Sequence, residues 1–282
     1  MRGCKNKRKD VFLQLKRSIS AMTVCVFLLS GCATVPITGR KQISFIPSAD
    51  LLALSIDNYR QLLAKSILSP DAKTVRQVRT VGGRIARAAE DFLRENGMAR
   101  ELGYYAWEFN LIKDDKTVNA FCMPGGKVAV YTGILIYTEN ENGLAVVIAH
   151  EVAHAIANHG AERMSQMLLA QFGTAALAEA LKAKDEKTQQ YLLLAFGIGT
   201  NVGIVLPYSR LHEKEADHIG LILMARAGYN PETAVAYWHR MNEHAEARPP
   251  EFLSTHPAPE TRIQAIRAAL PEAMRYYKPA GD

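Results

Sequence analysis

Two histidines and a glutamate in Ala149-His150-Glu151-Val152-Ala153-His154 are the residues of this chain best suited to chemistry. They lie in residues 144–158, which contain no Gly or Pro and predict a single helix. A spacing of four places His150 and His154 on one helix face, where two imidazoles can bind one Zn²⁺. Glu151 is then close enough to accept a proton from the water that zinc activates.

A chance occurrence of this pattern on an exposed helix is the alternative interpretation. The other faces of the predicted helix are apolar, with Val146, Val147, Ile148 and Ile156, which indicates a buried helix. Burying two imidazoles and a carboxylate without a metal or a hydrogen-bond partner would be costly. The composition of the helix therefore favours a metal site that holds one Zn²⁺ per chain.

A catalytic zinc needs a third protein ligand and an open position, and the best candidates lie in residues 209–217. Glu213 and Asp217 are four residues apart on a predicted helix and share a face, whereas Glu215 lies on roughly the opposite side. We expect Glu213 to ligate zinc and Asp217 to accept a hydrogen bond from a ligand histidine, preferably His150. The alternative is a solvated helix start, where acidic residues are favoured in any helix. The upstream motif favours the ligand assignment.

His159 is the nearest further histidine, five residues beyond His154. On a continuous helix it is turned about 140° away from that residue, so it cannot reach the same metal unless the helix breaks. The longer HExxHxxGxxH pattern would need Gly at 157 and His at 160, where this chain has Ala157 and Gly160. We therefore expect a structural role for His159, near a helix end.

The first 31 residues have the pattern of an export signal. A basic stretch ends near Arg17, an apolar stretch follows over residues 19–29, and Leu29-Ser30-Gly31-Cys32 resembles a bacterial lipobox. We expect lipid on Cys32 to attach the chain to a membrane, and an uncleaved anchor is the alternative. In Gram-negative lipoproteins an Asp after the lipidated Cys favours the inner membrane. Ala33 at that position predicts an outer-membrane lipoprotein that faces the periplasm.

Cys122 is the one cysteine left after the leader and the lipid attachment, since Cys4 and Cys25 lie in residues 1–31. One cysteine cannot form an intramolecular disulfide. A nucleophilic thiol is one interpretation of Cys122, but a half-buried position on a strand is favoured.

The net charge of +6 would suit a protein that binds nucleic acid, but its distribution excludes that class. Seven of the 34 Lys and Arg residues and one of the 28 Asp and Glu residues lie in residues 1–31. The remaining 251 residues carry 27 of each sign and are net neutral. The electrostatic basis for binding nucleic acid is therefore absent from the predicted mature chain.

The elements that position the candidate residues follow from periodicity and turn signals. Residues 32–47 have little periodicity and are predicted to be a tether. Helices are predicted from Ser48 and over 71–94, where Gly82-Gly83 fits only if another element packs closely. Three short runs, 104–112, 118–123 and 127–131, predict a small antiparallel sheet.

Two further segments leave alternatives open. Residues 127–131 are either an edge strand, to which an extended substrate could add, or an inner strand. The apolar stretches within residues 164–209 predict a helical hairpin between the two metal motifs. That hairpin either packs as core or forms a lid or a hydrophobic surface for substrates.

With these motifs in order, the chain resembles the gluzincin metallopeptidases related to HtpX and the CAAX prenyl proteases, in particular their periplasmic lipoprotein branch that includes BepA and LoiP. The matching segments are Thr38-Gly39-Arg40, Asn119-Ala120-Phe121, Pro124-Gly125-Gly126, Thr132-Gly133, the His150–His154 motif, Ser209-Arg210 with Glu213 and Asp217, and Ser254-Thr255-His256-Pro257 with Arg262-Ile263. Only HExxH is common elsewhere, so the ordered set is specific. The chain ends too early for the C-terminal helical repeats of BepA-like members, which predicts the compact form.

The resemblance implies a fold, an activity and partners. The expected fold is α+β and mostly helical, with a small antiparallel sheet beside the HExxH helix, over residues 48–282. The family's zinc ligands match His150, His154 and Glu213. Its general base matches Glu151. The implied activity is a zinc endopeptidase that hydrolyses misfolded or unassembled periplasmic and outer-membrane proteins, with these proteins and their assembly machinery as partners.

His256 is assigned three alternative roles. It could stabilise the oxyanion that forms during hydrolysis, it could occupy the open zinc position and keep the enzyme inactive, or it could be a structural residue at a helix start. A related alternative concerns the whole protein: a non-proteolytic chaperone or assembly lipoprotein with an occluded zinc site.

Overall fold

The computed structural model describes residues 32–35, 38–44, 46, 48–167, 195, 209–245, 251–256 and 260–279. The predicted export signal over 1–31 and most of the predicted hairpin over 164–209 lie outside the described residues. The described strands are β1 (Cys32–Thr34), β2 (Lys41–Ile43), β3 (Glu108–Ile112), β4 (Ala120–Met123) and β5 (Lys127–Tyr131). The described helices are α1 (Ser48–Lys65), α2 (Ala72–Glu95), α3 (Leu135–Thr138), α4 (Glu141–Ile156), α5 (residues 159–167), α6 (Arg210–Arg226), α7 (Thr233–Ala245), α8 (Glu251–Thr255) and α9 (Glu260–Ala273), with 3₁₀ turns at Ala99–Tyr104, Thr132–Ile134 and Met274–Tyr276.

Helix α2 begins and packs as its sequence predicts. The Asp71 side chain accepts hydrogen bonds from the backbone N–H groups of Lys73 and Thr74 and so caps the first turn. Gly82 within α2 is explained by a close neighbour: a Cβ atom there would lie 2.3 Å from the Phe109 ring on β3. The missing side chain therefore lets α2 lie directly against the sheet.

The three-stranded sheet is mixed, with the strand order β3-β5-β4. Strand β5 pairs in parallel with β3 and antiparallel with β4. The prediction of a purely antiparallel sheet is therefore wrong for one pairing, because β5 returns between the two earlier strands instead of beside β4 alone. Of the two alternatives for residues 127–131, the structure shows the inner strand, and β4 has β5 as its only strand partner among the described residues.

The N-terminal segment, which was predicted to be a tether, contains an antiparallel hairpin of β1 and β2. Val35 and Ile46 are buried, with exposed fractions of 1% and 5%. The backbone N–H of Val35 donates to the Arg40 carbonyl at 2.8 Å and fixes the turn between the strands. This segment is therefore packed onto the domain. The predicted division of the chain into a signal (1–31), a tether (32–47) and a peptidase domain (48–282) stays a prediction.

Helix α4 lies at the centre of the fold and packs against α2, α6, α7 and β4. Every residue from Gly143 to Ile156 is buried, as the apolar composition predicted. Gly220 on α6 allows a close crossing, because a Cβ atom there would lie 3.2 Å from the backbone of Ala149 and His150. The predicted α+β, mostly helical fold class is confirmed. Within the described part of the chain, no helix has the length and apolar character needed to cross a membrane.

Candidate metal centre

Helix α4 presents both histidines of the motif to one buried site. The Asn140 side chain caps this helix by accepting hydrogen bonds from the backbone N–H groups of Asn142 and Gly143. The Nε2 atoms of His150 and His154 lie 3.1 Å apart. A spacing of four on one helix therefore brings two nitrogen donors to a single point, as the geometry requires.

Helix α6 brings a carboxylate to the same point. The Glu213 Oε1 atom lies 3.3 Å from His154 Nε2, and its Oε2 atom lies 3.4 Å from His150 Nε2. The Ser209 side chain caps α6 by accepting from the backbone N–H of His212, so Glu213 sits in the first helical turn. Glu213 is 3% exposed, which excludes the alternative of a solvated helix start for this residue.

The fourth donor of the site is His256. Ligand atoms of His150, His154, Glu213 and His256 all lie within 4.8 Å of one another. His256 Nδ1 lies 3.0 Å from Glu213 Oε1 and 3.2 Å from His150 Nε2. His256 follows the last residue of α8 and stacks on Phe252, with 4.6 Å between ring centroids, so it does not begin a helix.

The donor set fits zinc. Zinc–nitrogen bonds of about 2.0–2.1 Å in a tetrahedral site place neighbouring donors about 3.3 Å apart. Five of the distances between these side chains, 3.0–3.4 Å, match that spacing, and all four donors lie within 4.8 Å of one another. Three imidazoles and one carboxylate are also the ligand types that zinc prefers.

Glu151 lies beside this group but is not one of the four donors. It is 3% exposed, and burial raises the pKa of its carboxyl to about 8. Its Oε1 atom lies 3.6 Å from His256 Nε2 and has no hydrogen-bond partner among the described residues. A buried carboxylate oxygen that points into the site in this way is available to a water or a substrate.

Cys122, on β4, lies near Glu151, and its backbone N–H lowers the pKa of that carboxyl against the effect of burial. Its side chain is 3% exposed, deeper than the half-buried position predicted. Burial raises the pKa of the Cys122 thiol well above its ordinary value. Because the reactive form of cysteine is the thiolate, a nucleophilic role for this residue is not supported.

Asp217 and Arg262 lie behind His150. The Asp217 Oδ1 atom is 2.9 Å from His150 Nδ1, on the ring side opposite the other donors. Arg262 donates to Asp217 at 2.6 and 2.8 Å and forms an ion pair with Glu213 at 2.8 Å. Burial raises the pKa of the Asp217 carboxyl, but the charge of Arg262 and the hydrogen bonds from His150 and Arg262 together outweigh burial, and the net pKa is lowered. The arginine therefore helps to keep two buried carboxylates charged.

Sequence reasoning assigned no role to Arg262. The one signal for it was the Arg262-Ile263 pair among the segments that carry the family resemblance. Its guanidinium also lies 3.6 Å from the centre of the Trp238 ring, a cation–π contact that further fixes its position.

His159 and Glu215 lie on the opposite side of His154. Helix α4 ends at Ile156, and Asn158, in the turn that follows, has a φ of +56°. Helix α5 begins at the next residue. This turn brings His159 Nδ1 to 3.0 Å from His154 Nδ1. The helix break that was needed for His159 to approach does occur, but His159 meets the far side of the ring and not the four donors.

Relatives of two kinds match the chain. The mitochondrial metalloendopeptidase OMA1 of Schizosaccharomyces pombe is 42% identical over 59% of this chain and 48% of its own length. The protein of the same name from Saccharomyces cerevisiae is 30% identical over 96% of this chain and 81% of its own. The beta-barrel assembly-enhancing protease of Escherichia coli is 27% identical over 91% of this chain and 53% of its own. The chain thus spans about half the length of two of these three relatives.

These relatives correct the predicted location. An outer-membrane lipoprotein that faces the periplasm was expected from Ala33 after the lipobox. The two yeast relatives are named as mitochondrial proteins, and so are the plant, bovine and human relatives. The predicted outer-membrane location is therefore wrong on this comparison, since a residue next to the lipobox carries less information than similarity along most of the chain.

The family itself is shown by a match that includes the metal site. The model of peptidase family M48 matches residues 80–270, a range that contains all four donors and Glu151. Members of this family use zinc, so the prediction of zinc as the cofactor and the assignment of the chain to a zinc metallopeptidase family are confirmed. The narrower branch within the family is not decided, because relatives with two different names match. By sequence and by the geometry of its buried donors, this chain belongs to peptidase family M48.

Proposed function

We propose that this protein is a zinc-dependent endopeptidase that hydrolyses peptide bonds in misfolded or unassembled proteins. The observation that carries the proposal is the convergence of His150, His154 and Glu213 beside a buried Glu151 that is not itself a donor. A structural zinc site has four protein ligands and needs no such carboxylate. Metal-assisted hydrolysis uses three protein ligands, a position open to water or substrate, and a carboxylate that does not bind the metal. His256 therefore has to leave the fourth position for hydrolysis.

The proposed roles divide among the chain's own residues. His150, His154 and Glu213 would hold zinc, which would supply Lewis-acid polarisation of the scissile carbonyl. Glu151 would accept the proton of the attacking water and pass it to the leaving amine. Asp217 positions His150 by accepting the hydrogen bond from its Nδ1.

The edge of β4 that has no strand partner among the described residues supports an unfolded polypeptide as the substrate. Strand β4 packs against α4, and the backbone N–H of Cys122 lies near enough to the Glu151 carboxyl to lower its pKa. An extended segment that adds to this edge would be held by backbone hydrogen bonds, with little demand on its sequence. Only an unfolded or unassembled segment has its own backbone free for this pairing. The name of the bacterial relative, a beta-barrel assembly-enhancing protease, suggests unassembled membrane proteins as substrates.

Membrane attachment through lipid on Cys32 remains part of the proposal. An anchored domain would meet substrates at a membrane surface, where incompletely assembled membrane proteins expose extended segments. Mass spectrometry of the purified chain would test the lipid directly, since acyl chains on Cys32 add a defined mass to the N-terminal peptide.

The decisive experiment compares Glu151→Gln with the wild type of the full chain. Zinc content is measured by mass spectrometry of the metal, and cleavage is measured on an unfolded casein. We expect both proteins to bind about one zinc, and we expect cleavage to fall by about 10²–10⁴-fold in the variant, because the general base is removed. Glu141→Gln is the matched control, since Glu141 is an exposed residue of the same helix.

Two outcomes would contradict the proposal. Equal cleavage by the wild type and Glu151→Gln would exclude Glu151 as the base. Zinc binding without cleavage in either protein would favour the second candidate function, a chaperone or assembly factor with an occluded zinc site.

The position of His256 is the observation that favours this second candidate. Its Nδ1 atom belongs to the group of donors and so takes the position that a substrate carbonyl would need. If His256 blocks an active peptidase, His256→Ala should raise kcat/KM on casein. If it stabilises the oxyanion, the same change should lower kcat by about 10²–10³-fold. Unchanged kinetics would leave only a structural role.

A further inference from the structure

A second buried group of charged side chains lies beside the metal centre, on the far side of His154. It consists of Arg40, His159, Glu162, His212 and Glu215, and we call it the Arg40 cluster. His159 is fully buried, and the exposed fractions of Glu162 and Glu215 are only 6% and 5%. None of the five belongs to the group of four metal donors, so the function proposed above leaves this cluster unexplained.

Consecutive contacts connect the zinc ligand His154 to this cluster. His154 Nδ1 lies 3.0 Å from His159 Nδ1, and His159 Nε2 lies 3.0 Å from Glu215 Oε2. The same Glu215 oxygen accepts a hydrogen bond from Arg40 Nε at 2.9 Å. A continuous path of hydrogen bonds therefore runs from the ligand to an arginine of the N-terminal segment.

The direction of these hydrogen bonds follows from the carboxylate. An ionised carboxylate only accepts, so His159 carries its proton on Nε2 in the contact with Glu215. The Nδ1 atom of a neutral His159 is then an acceptor, and the proton between the two Nδ1 atoms belongs to His154. With its proton on Nδ1, His154 has its lone pair on Nε2, the atom that faces the other donors. Glu215 thus sets the tautomer that His154 needs to bind zinc.

The N-terminal segment completes the cluster. Two guanidinium nitrogens of Arg40 donate to the two oxygens of Glu162 at 3.1 and 2.8 Å, while its Nε donates to Glu215. The Thr38 hydroxyl also donates to Glu215. Burial of Val35 and its hydrogen bond to the Arg40 carbonyl hold this turn in place. The carboxylate that orients His159 is therefore itself oriented by residues of the N-terminal segment.

We propose that His159 and Glu215 are positioning residues for the zinc ligand His154, and that docking of the N-terminal segment through Arg40 completes this support, so that zinc affinity depends on that segment. The inference rests on the proposed function for the location of zinc, but it concerns affinity and not hydrolysis. Loss of the group that orients a ligand histidine generally lowers metal affinity by about 10–100-fold.

The test measures the zinc dissociation constant of the full chain by competition with a fluorescent chelator. His159→Phe keeps a ring but removes both nitrogens, and we expect affinity to fall by about 10–100-fold. His159→Asn places an amide oxygen near the former Nδ1, where it can accept from His154, and should recover most of the loss. Arg40→Gln should weaken binding by about 10-fold, at the lower end of such effects. Lys41→Gln, a change at the exposed neighbouring residue, should leave affinity unchanged.

Each outcome decides for or against the proposal. Wild-type affinity in His159→Phe overturns it, and so does an equal loss in His159→Asn and His159→Phe that parallels a fall in the Tm of the metal-free protein. Recovery by His159→Asn supports it, because a purely structural role would not depend on the acceptor. If circular dichroism shows that His159→Phe is unfolded, His159→Asn and Arg40→Gln compared with Lys41→Gln decide the question.

The same measurements separate this proposal from the proposed function. A wild type that binds no zinc overturns both. A wild type that binds zinc without cleaving casein contradicts the peptidase function alone, and the affinities of the variants still test the support of His154.

Discussion

The two histidines of the HExxH motif are held in different ways. His150 reaches a carboxylate directly, with its Nδ1 atom 2.9 Å from Asp217. His154 reaches one only through a second imidazole, from its own Nδ1 to His159 and from His159 to Glu215. Both arrangements direct Nε2 toward the other metal donors, but the second has one more hydrogen bond that can be lost.

We call Asp217 with Arg262 the support of His150, and His159 with Glu215 and Arg40 the support of His154. The arginines of the two supports also differ. Arg262, from α9, is 5% exposed and lies 3.6 Å from the centre of the Trp238 ring. The Arg40 side chain, from the N-terminal segment, is 19% exposed. Because water can replace part of what Arg40 provides, the support of His150 should be the stronger of the two. Under the proposal above, the motif therefore combines a ligand supported from within the buried core with one supported from the N-terminal segment.

Removing each arginine in turn should give the largest difference between the His150 support and the His154 support, measured as the loss of unfolding free energy. Arg262→Met leaves Asp217 and Glu213 buried without their counter-charge, and we expect the unfolding free energy of the metal-free protein to fall by about 3–5 kcal/mol. Arg40→Met should cost about 1–3 kcal/mol, because its partners keep other hydrogen bonds. Urea unfolding in the presence of a chelator measures both.

Arg267→Met is the control for this comparison, since Arg267 is an exposed residue of α9; its effect should stay within about 0.5 kcal/mol. Equal losses for Arg262→Met and Arg40→Met would show that burial does not distinguish the two supports.

Zinc affinity should also fall more when the support of His150 is lost than when the support of His154 is lost, but by a smaller free energy. Asp217→Asn removes the charge that orients His150, and we expect the zinc dissociation constant to rise toward the upper end of about 10–100-fold. The exposed Asp91 offers a control in Asp91→Asn, which should bind as the wild type does. In the double variant of Asp217→Asn and His159→Phe, the two factors should multiply if the supports act on separate ligands. A weaker effect of Asp217→Asn than of His159→Phe would reverse the proposed ranking.

Local pattern was sufficient to predict most of the elements that carry the site. The apolar faces around His150 and His154 predicted a buried α4, and the spacing of Glu213 and Asp217 predicted one shared face of α6. Both patterns repeat within one or two helical turns, so neighbouring residues contain the information. The roles of Glu151, Asp217 and His256 stay predictions until variants are measured.

The contact of Asp217 with His150 was expected from the spacing, but the arginines behind the two histidines could not be predicted, because they join distant parts of the chain. Arg40 pairs with Glu215 across 175 positions and Arg262 with Asp217 across 45. Local periodicity cannot predict such distant pairs. The only sequence signal for the two arginines was that both lie in segments that carry the family resemblance. His159 was placed away from His154 because a continuous helix was assumed; the left-handed conformation of Asn158 removes that assumption. The mixed order of the sheet was missed for the same reason, since strand order is a property of tertiary packing.

The smallest expected effect comes from Glu162 and tests the N-terminal support by pH. Burial raises the pKa of Glu162, but hydrogen bonds from His212 and Arg40 outweigh burial and lower the pKa to about 2. A carboxyl whose pKa is depressed by folding stabilises the fold above its unfolded pKa, 4.5, and loses that contribution as the pH falls toward 2. The groups that face it are His212 and Arg40, with Glu215 on the other side of the arginine.

Glu162→Gln should therefore lower the unfolding free energy of the metal-free protein at pH 7 by about 1–2 kcal/mol, a figure reduced for the partial exposure of Arg40. The difference from the wild type should narrow between pH 4.5 and pH 2, because the wild-type carboxylate is protonated over that interval. Glu141→Gln, at an exposed residue of α4, should show no such convergence. A difference that stays constant over this pH range would mean that Glu162 contributes to stability through packing alone. The ion pair between Glu162 and Arg40 would then contribute nothing to holding the N-terminal segment in place.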